Sequence, residues 1–337
     1  MSLRSRMKNI PLQVIPKANW AAQRPTYNDA EPALINAALK RAEARPSGNW
    51  YVFGASSDIR TDRPFGTRVG GLDIVAWRDQ QRHVRVGPAT CPHLGADLRT
   101  GKVDCGSLIC PWHGLALDGG REFGWKSRNP WKPLPAFDDG VLVWVRLDSL
   151  GGEPALDAPV IPARPSGERL AAVARVEGVC EPSDVIANRL DPWHGAWFHP
   201  YSFTQLEVLS APPVDAGEDA DRFQVAVTFR MGRLGVPVIA EFTAPEPRTV
   251  VMRIVDGEGT GSVVETHATP LGPGPDGRPR TAVIEAVVAQ SDRTGFHHSL
   301  RAAALITPLI RLAAARLWRD DLAYAERRFA LRDKRSQ

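Results

Sequence analysis

Two short stretches of the chain combine residue types and spacings that could do redox chemistry. The first, CPHLGADLRTGKVDCGSLICPWHG at 91–114, holds three of the four cysteines and two of the eight histidines. Its pattern is Cys91-x-His93, sixteen residues, then Cys110-x-x-His113. Zinc accepts both donors, but structural zinc sites usually take C-x2-4-C and H-x3-5-H order. Here each arm supplies one Cys followed by one His. Two such arms meeting at their tips would put a cysteine pair on one iron and a histidine pair on the other iron of a [2Fe-2S] centre. Pro92, Gly95, Pro111 and Gly114 suit backbone that packs closely around sulfide. The second stretch, EPSDVIANRLDPWHGAWFHP at 181–200, sets Asn188, Asp191 and His194 at three-residue steps, with His199 five beyond. Two imidazoles and one carboxylate on one face of iron(II) leave positions open for dioxygen and substrate. On an undistorted helix, residues five apart point roughly 140° from each other. The two histidines therefore converge only where the segment bends, and Pro192, Gly195 and Pro200 allow that. Taken alone, they could equally be ordinary core or surface histidines.

The elements that must position these residues change character along the chain. Residues 1–47 form a basic arm with eight Lys or Arg and three acids up to residue 48, plus one helix at about 30–45. That arm could be solvated or could dock an acidic partner. From Trp50 short β-type runs follow (WYVFGA, DIVAWRD, HVRVGPA, VLVWVRL), which predicts a small all-β domain over 48–148. Residues 149–168, rich in Pro, Gly and Ala without periodicity, predict a linker. Over 169–337 come AAVARVEGVCE, the His/Asp stretch, and then TQLEVLSA, DRFQVAVTFRM, VPVIAEFTA with TVVMRIVDG, and SVVETHATP with TAVIEAVVAQ. Their alternation predicts an antiparallel sheet with one covered face, and a helical region at about 297–333 supplies the cover. The fold class is α+β.

Composition excludes more than it identifies. Forty-two basic against 38 acidic residues, with no aromatic-interleaved basic stretch, gives no case for nucleic acid. Four cysteines are too few for a secreted disulfide scaffold. MSLRSRMKNIPLQ lacks the apolar stretch of a signal peptide, so a cytoplasmic location is expected, with peripheral membrane association as an extension of it. The run AAALITPLIRLAAARLW at 302–318 is too short to span a bilayer and contains Arg311 and Arg316.

CPHLGA and CPWHGL, preceded by strands opening at Trp50, resemble the Rieske domain. With N-x-x-D-x-x-H-x4-H behind it, the resemblance extends to Rieske non-heme iron oxygenases, as the terminal oxygenase α subunit of the short, α-only monooxygenase kind. It implies an all-β Rieske domain followed by a helix-grip-like catalytic domain. Cys91, His93, Cys110 and His113 would hold the [2Fe-2S] cluster. Ala96 and Trp112 stand where respiratory relatives carry a disulfide, and Leu115 where they carry a serine donor, so a lower potential follows. Cys105 and Cys180 are expected as buried free thiols.

By the same resemblance His194 and His199 would ligate a mononuclear iron. Asp191 would bridge to a Rieske histidine of a neighbouring subunit, with a helix N-cap as its plainer role, and Asn188 would lie beside the iron. The third ligand would be a carboxylate in LWRDDLAYAERR. An acid pair followed five residues later by Glu favours Asp321, in register with Glu326, over Asp320. His297 and His298 could mimic ligands, but a helix start or pocket lining suits them better. Electrons from NAD(P)H would have to come through a separate ferredoxin or flavin reductase, since the chain has no G-x-G-x-x-G fingerprint. Dioxygen would be the co-substrate and a homotrimer the assembly. Val225, Val227, Phe229, Val250, Met252 and the helix at 302–318 predict a cavity for an apolar cyclic substrate, steroid-like, isoprenoid or aromatic, to be hydroxylated or demethylated. An electron carrier or redox sensor without oxygenase activity, and a desaturase or oxidase using the same irons, are the competing functions.

Overall fold

The computed structural model describes residues 12–15, 24–117 and 131–336. Residues 1–11 and 16–23 of the basic arm lie outside the described residues. Strand β1 (Gln13–Val14) and helix α1 (Pro32–Glu43) precede a domain of short strands: β2 (Trp50–Ala55), β3 (Phe65–Val69), β4 (Leu72–Arg78), β5 (Val84–Pro88), β6 (Lys102–Asp104), β7 (Ser107–Ile109), β8 (Ala116–Leu117), β9 (Ala136–Asp138) and β10 (Leu142–Arg146). They form three antiparallel sheets, β2-β10-β9, β3-β4-β5 and β6-β7-β8. The predicted runs become β2, β4, β5 and β10. Strand β3 (FGTRV) escapes the reading because glycine and arginine break its alternation, and β6 to β8 are too short to show a period.

The second half holds α2 (Asp148–Gly151), β11 (Leu170–Gly178), α3 (Pro182–Arg189), α4 (Gly195–Phe198), β12 (Phe203–Ser210), β13 (Phe223–Met231), β14 (Leu234–Glu246), β15 (Thr249–Gly257), β16 (Val263–Pro273), β17 (Pro279–Ala289), α5 (Phe296–Arg301) and α6 (Ala303–Ser336). The sheet order is β11-β17-β16-β15-β14-β13-β12, with β1 pairing β14. Successive side chains on a strand point to opposite faces, and here the two faces meet different partners. Val250 and Val283 join Ile35 and Leu39 of α1, Ile186 of α3 and Trp318 of α6 in one core. Val251, Ile284 and Val288 join Trp50, Val52 and Trp144 of the first domain in another. The expectation of one covered face thus fails for β15 to β17: helices cover one side and the N-terminal domain the other.

The stretch between the domains is fastened at both ends. Glu153 Oε1 accepts from the Ser47 and Asn49 backbone amides at 3.0 and 3.2 Å, and the Trp50 indole donates to Leu156 O at 2.9 Å. Arg164, almost fully buried, binds Asp139 of the first domain at 2.8 Å and Glu265 of β16 at 2.5 Å. A second junction is backbone against backbone: Gly70 and Gly71 amides donate to Pro270 and Leu271 carbonyls at 2.7 and 3.0 Å. Beside it Gly272 has φ +86°, and a Cβ there would come within 2.6 Å of the Gly71 backbone. Gly272→Ala should therefore cost at least about 2 kcal/mol, because it adds left-handed strain to a clash that only backbone movement relieves. Thermal unfolding several degrees below the parent would show it, and an unchanged midpoint would refute it.

Candidate metal centres

The two arms of the first motif fold into near copies of one loop. Cys91 N donates to Ala96 O at 2.9 Å and Cys110 N to Leu115 O at 2.8 Å, while Gly95 N and Gly114 N return to the Cys91 and Cys110 carbonyls at 3.0 and 3.1 Å. Gly95 and Gly114 have φ of +80° and +73°. A Cβ at either would meet nothing within 4 Å, so glycine serves the backbone conformation and not space. Each loop buries its cysteine and exposes its histidine: Cys91 and Cys110 are both 2% exposed, and the His93 and His113 rings lie 4.9 Å apart at the surface. Burial, with Cys110 bonded alongside, raises the Cys91 thiol pKa. Paired buried thiols beneath paired imidazoles are the donor set that a cluster with one Cys-bound and one His-bound iron needs. Leu94 and Trp112 flank the imidazoles at 63% and 60% exposure.

The remaining cysteines divide. Cys180 is buried, its thiol pushed up to about 12 by burial and the nearby Asp184. Cys105 is exposed, against expectation, because it sits in the β6–β7 turn with φ +48°.

In the second motif the bend is real. A 3-10 turn over Pro192–His194 runs into α4, and His199 leaves helical geometry at φ −121°, ψ 55°. The two rings come to 5.6 Å centroid separation. Helix α6 brings Asp321 to meet them: its Oδ1 lies 3.1 Å from His194 Nε2 and 2.8 Å from His199 Nε2. The Asn188 amide donates to the same oxygen at 3.1 Å. One ligand atom from each of His194, His199 and Asp321 lies within 4.8 Å of the others, with His199 and Asp321 each 1% exposed. Burial would raise the Asp321 carboxyl, but hydrogen bonds from both histidines outweigh it and hold the group well below the usual carboxylate range. Burial would lower the His194 pKa, and its bond to Asp321 reverses that. An anionic oxygen facing two imidazole nitrogens fits a divalent iron.

Asp320 points elsewhere. Its carboxylate accepts from the Tyr201 hydroxyl, 4.0 Å from His199 Nδ1, with 44% of its side chain exposed. Glu326 accepts from the Val179 amide at 2.8 Å and takes no part in the triad. Asp191 occupies the N-cap position of the 3-10 turn without capping it. Its Oδ2 accepts from the Tyr324 hydroxyl at 3.2 Å, and its Oδ1 is buried without a partner. His297 and His298 lie in the first turn of α5, exposed, their rings 3.8 Å apart and tilted by 43°, and are not part of the His194, His199 and Asp321 group.

Above the triad lies a cavity of about 300 Å³ walled by Phe203, Phe229, Val225, Val227, Met252 and, from α6, Ile310, Ala313, Ala314 and Leu317. Val250, expected there, belongs to the helix-facing core. Three charged residues absent from the sequence expectations also face the cavity, Arg189, Arg230 and Glu285, and Arg230 donates to the Gly232 and Pro200 carbonyls at 2.8 and 2.9 Å. The Arg189 guanidinium lies 5.6 Å over Phe242 and 5.8 Å over Trp318, and its Nε has no hydrogen-bond partner. Glu285 accepts from the Trp318 indole at 2.5 Å, and burial raises its pKa. An acid inside the apolar run TAVIEAVVA was the available signal for Glu285. Arg189 had none beyond adjacency to Asn188.

Residues 150–336, more than half of the chain, match the family described as a domain of unknown function (DUF5914). Residues 49–135 match the Rieske [2Fe-2S] domain. The chain is 28% identical over 177 residues to a 3-ketosteroid-9-alpha-monooxygenase oxygenase component of Rhodococcus rhodochrous, covering 48% of this chain and 43% of that protein. It is 35% identical over 115 residues to flavonoid 8-hydroxylase 2, chloroplastic, of Ocimum basilicum, covering 33% of this chain and 22% of that one. These matches span less than half the length of either relative. In fold the chain is similar to dicamba monooxygenase bound to dicamba, with TM-score 0.60 and 17% identity over 86% of this chain and 90% of that one. A Rieske cluster and a mononuclear iron are the cofactors that go with this architecture. The chain therefore belongs to the DUF5914 family, joined to a Rieske [2Fe-2S] domain, and has the two-domain build of the oxygenase component of a Rieske non-heme iron oxygenase.

Proposed function

We propose that this protein is a terminal oxygenase that inserts oxygen from O2 into an apolar cyclic substrate, hydroxylating or demethylating it, with electrons from a separate reductase or ferredoxin. The carrying observation is the convergence of His194, His199 and Asp321 at the floor of an apolar cavity. Cys91, His93, Cys110 and His113 would hold the cluster, and His194, His199 and Asp321 the catalytic iron. Bound there, the two groups would supply single-electron delivery and the reduction of dioxygen that oxygenation requires.

The chain's own residues do the rest. Asn188 holds the Asp321 oxygen in place, and the phenylalanine and valine wall orients the substrate and excludes water. With Arg230 already bonded to two backbone carbonyls, Arg189 and Glu285 offer the polar anchorage of an otherwise apolar wall, so the best substrate is compact and apolar with an oxygen-bearing end. Asp191, held by Tyr324 and otherwise unpartnered at Oδ1, is free to receive an imidazole of a neighbouring subunit in a homotrimer. The purified protein should contain about three irons per chain, two of them in the cluster. With a reductase and labelled O2 it should place label in the hydroxylated product or, for demethylation, in the one-carbon aldehyde released. Two irons per chain, or an unlabelled oxidised product, would return the choice to an electron carrier or a desaturase.

A further inference from the structure

The helix that lines the cavity with one face presents an unusual other face. Ile310, Ala313, Ala314 and Leu317 look into the cavity. Leu305, Leu309 and Leu312, at spacings of four and three, share a different face of α6 and are 75%, 64% and 64% exposed. Leucines at that exposure and spacing make a continuous apolar stripe, not the scattered single residues of an ordinary surface.

The charge along this segment has one sign. Residues 294–319, between Asp292 and Asp320, contain four arginines and no acid. In sequence Arg301 precedes the stripe, Arg311 falls within it and Arg319 follows; all three are exposed, while Arg316 stacks over Tyr201 at 4.1 Å. No helix among the described residues is long and apolar enough to cross a membrane. An apolar stripe on a segment whose charges are all cationic fits a surface that is greasy beneath and anionic above, which is the headgroup boundary of a bilayer.

We infer that α5 and the first half of α6 form a docking element for an anionic lipid surface. The leucines enter the headgroup boundary and the arginines meet lipid phosphates, which sets the cavity wall against the bilayer. An apolar molecule dissolved in the membrane would then have a short route to the cavity. The docking itself does not depend on the oxygenase reading, since it is measured without turnover.

The test is vesicle co-sedimentation of the full-length protein with phosphatidylcholine vesicles, with and without added phosphatidylglycerol. Binding should require phosphatidylglycerol and weaken as salt rises. A triple Leu305→Ser, Leu309→Ser, Leu312→Ser variant and a double Arg301→Gln, Arg311→Gln variant should each lose about tenfold or more in binding. Both should keep the visible absorption of the cluster, which separates lost docking from lost folding. Absence of binding by the parent, or binding by both variants equal to the parent's, overturns the inference. So does a leucine variant that changes oligomeric state by light scattering, because a second copy would then be the occupant.

Discussion

Asp321→Ala should empty the catalytic domain of iron while the cluster's visible absorption stays, and product formation should fall by at least ~100-fold. The magnitude follows from partners one step further out, whose loss already costs roughly 10–100-fold in metal affinity or activity. Asp321 Oδ1 is the shared acceptor of Asn188, His194 and His199, and its side chain is almost wholly shielded from solvent. Without it two imidazoles face an amide, and the carboxylate that completes a two-histidine, one-carboxylate iron site is gone. Asp320→Ala is the control. Its carboxylate is half exposed and bonded to Tyr201, so iron content should hold and the rate should drop far less. Iron-to-protein ratios and single-turnover rates of the two variants decide the matter. Iron lost from Asp320→Ala and kept by Asp321→Ala would reverse the ligand assignment.

Arg164→Ala should destabilise the protein by about 3–5 kcal/mol at neutral pH, the usual cost of leaving a buried charge without its partner. Two carboxylates, 4% and 0% exposed at their side chains, would be left facing each other across the domain junction. The pH dependence gives a sharper signature. Burial pushes Asp139 and Glu265 upward, but Arg164, with His267 helping at Glu265, holds both below their ordinary values. In the parent their contribution is complete above the unfolded carboxylate range and is lost as pH falls through the lower folded values. In the variant burial acts unopposed by Arg164, so protonation relieves the strain and the gap to the parent should narrow on acidification. Denaturant unfolding at several pH values measures this. A gap below about 1 kcal/mol, constant with pH, would mean the junction does not depend on the pair.

What could be read in the sequence was what is local. Each cluster loop is a six-residue unit whose ligands, proline and glycine sit side by side, so residue type and spacing carry the reading. The His194 and His199 pair was harder: spacing alone sets them apart on a helix, and only the break at Pro192 and the departure at His199 bring them together. Asp321 lies 122 residues from His199, so only resemblance pointed to it. Arg189 and Tyr324 were invisible for the same reason, since their roles exist only once α3 and α6 pack, and Glu285 showed itself only as an acid inside an apolar run. The Pro- and Ala-rich stretch at 149–168 reads as a tether because composition reports local stiffness and not the long-range partners of Glu153 and Arg164.

Those anchors have a mechanical consequence. A tether would let one half of the molecule swing and ferry charge to the other, so the hand-over would be timed by diffusion of a domain. Here a buried ion pair, a bonded glutamate and two glycine amides rivet the halves together. The separation of the two centres within one chain is thus a constant of the fold. On the proposed function, any gating of electron flow would be done by which surfaces touch, and for how long, when another molecule meets the exposed imidazole edge.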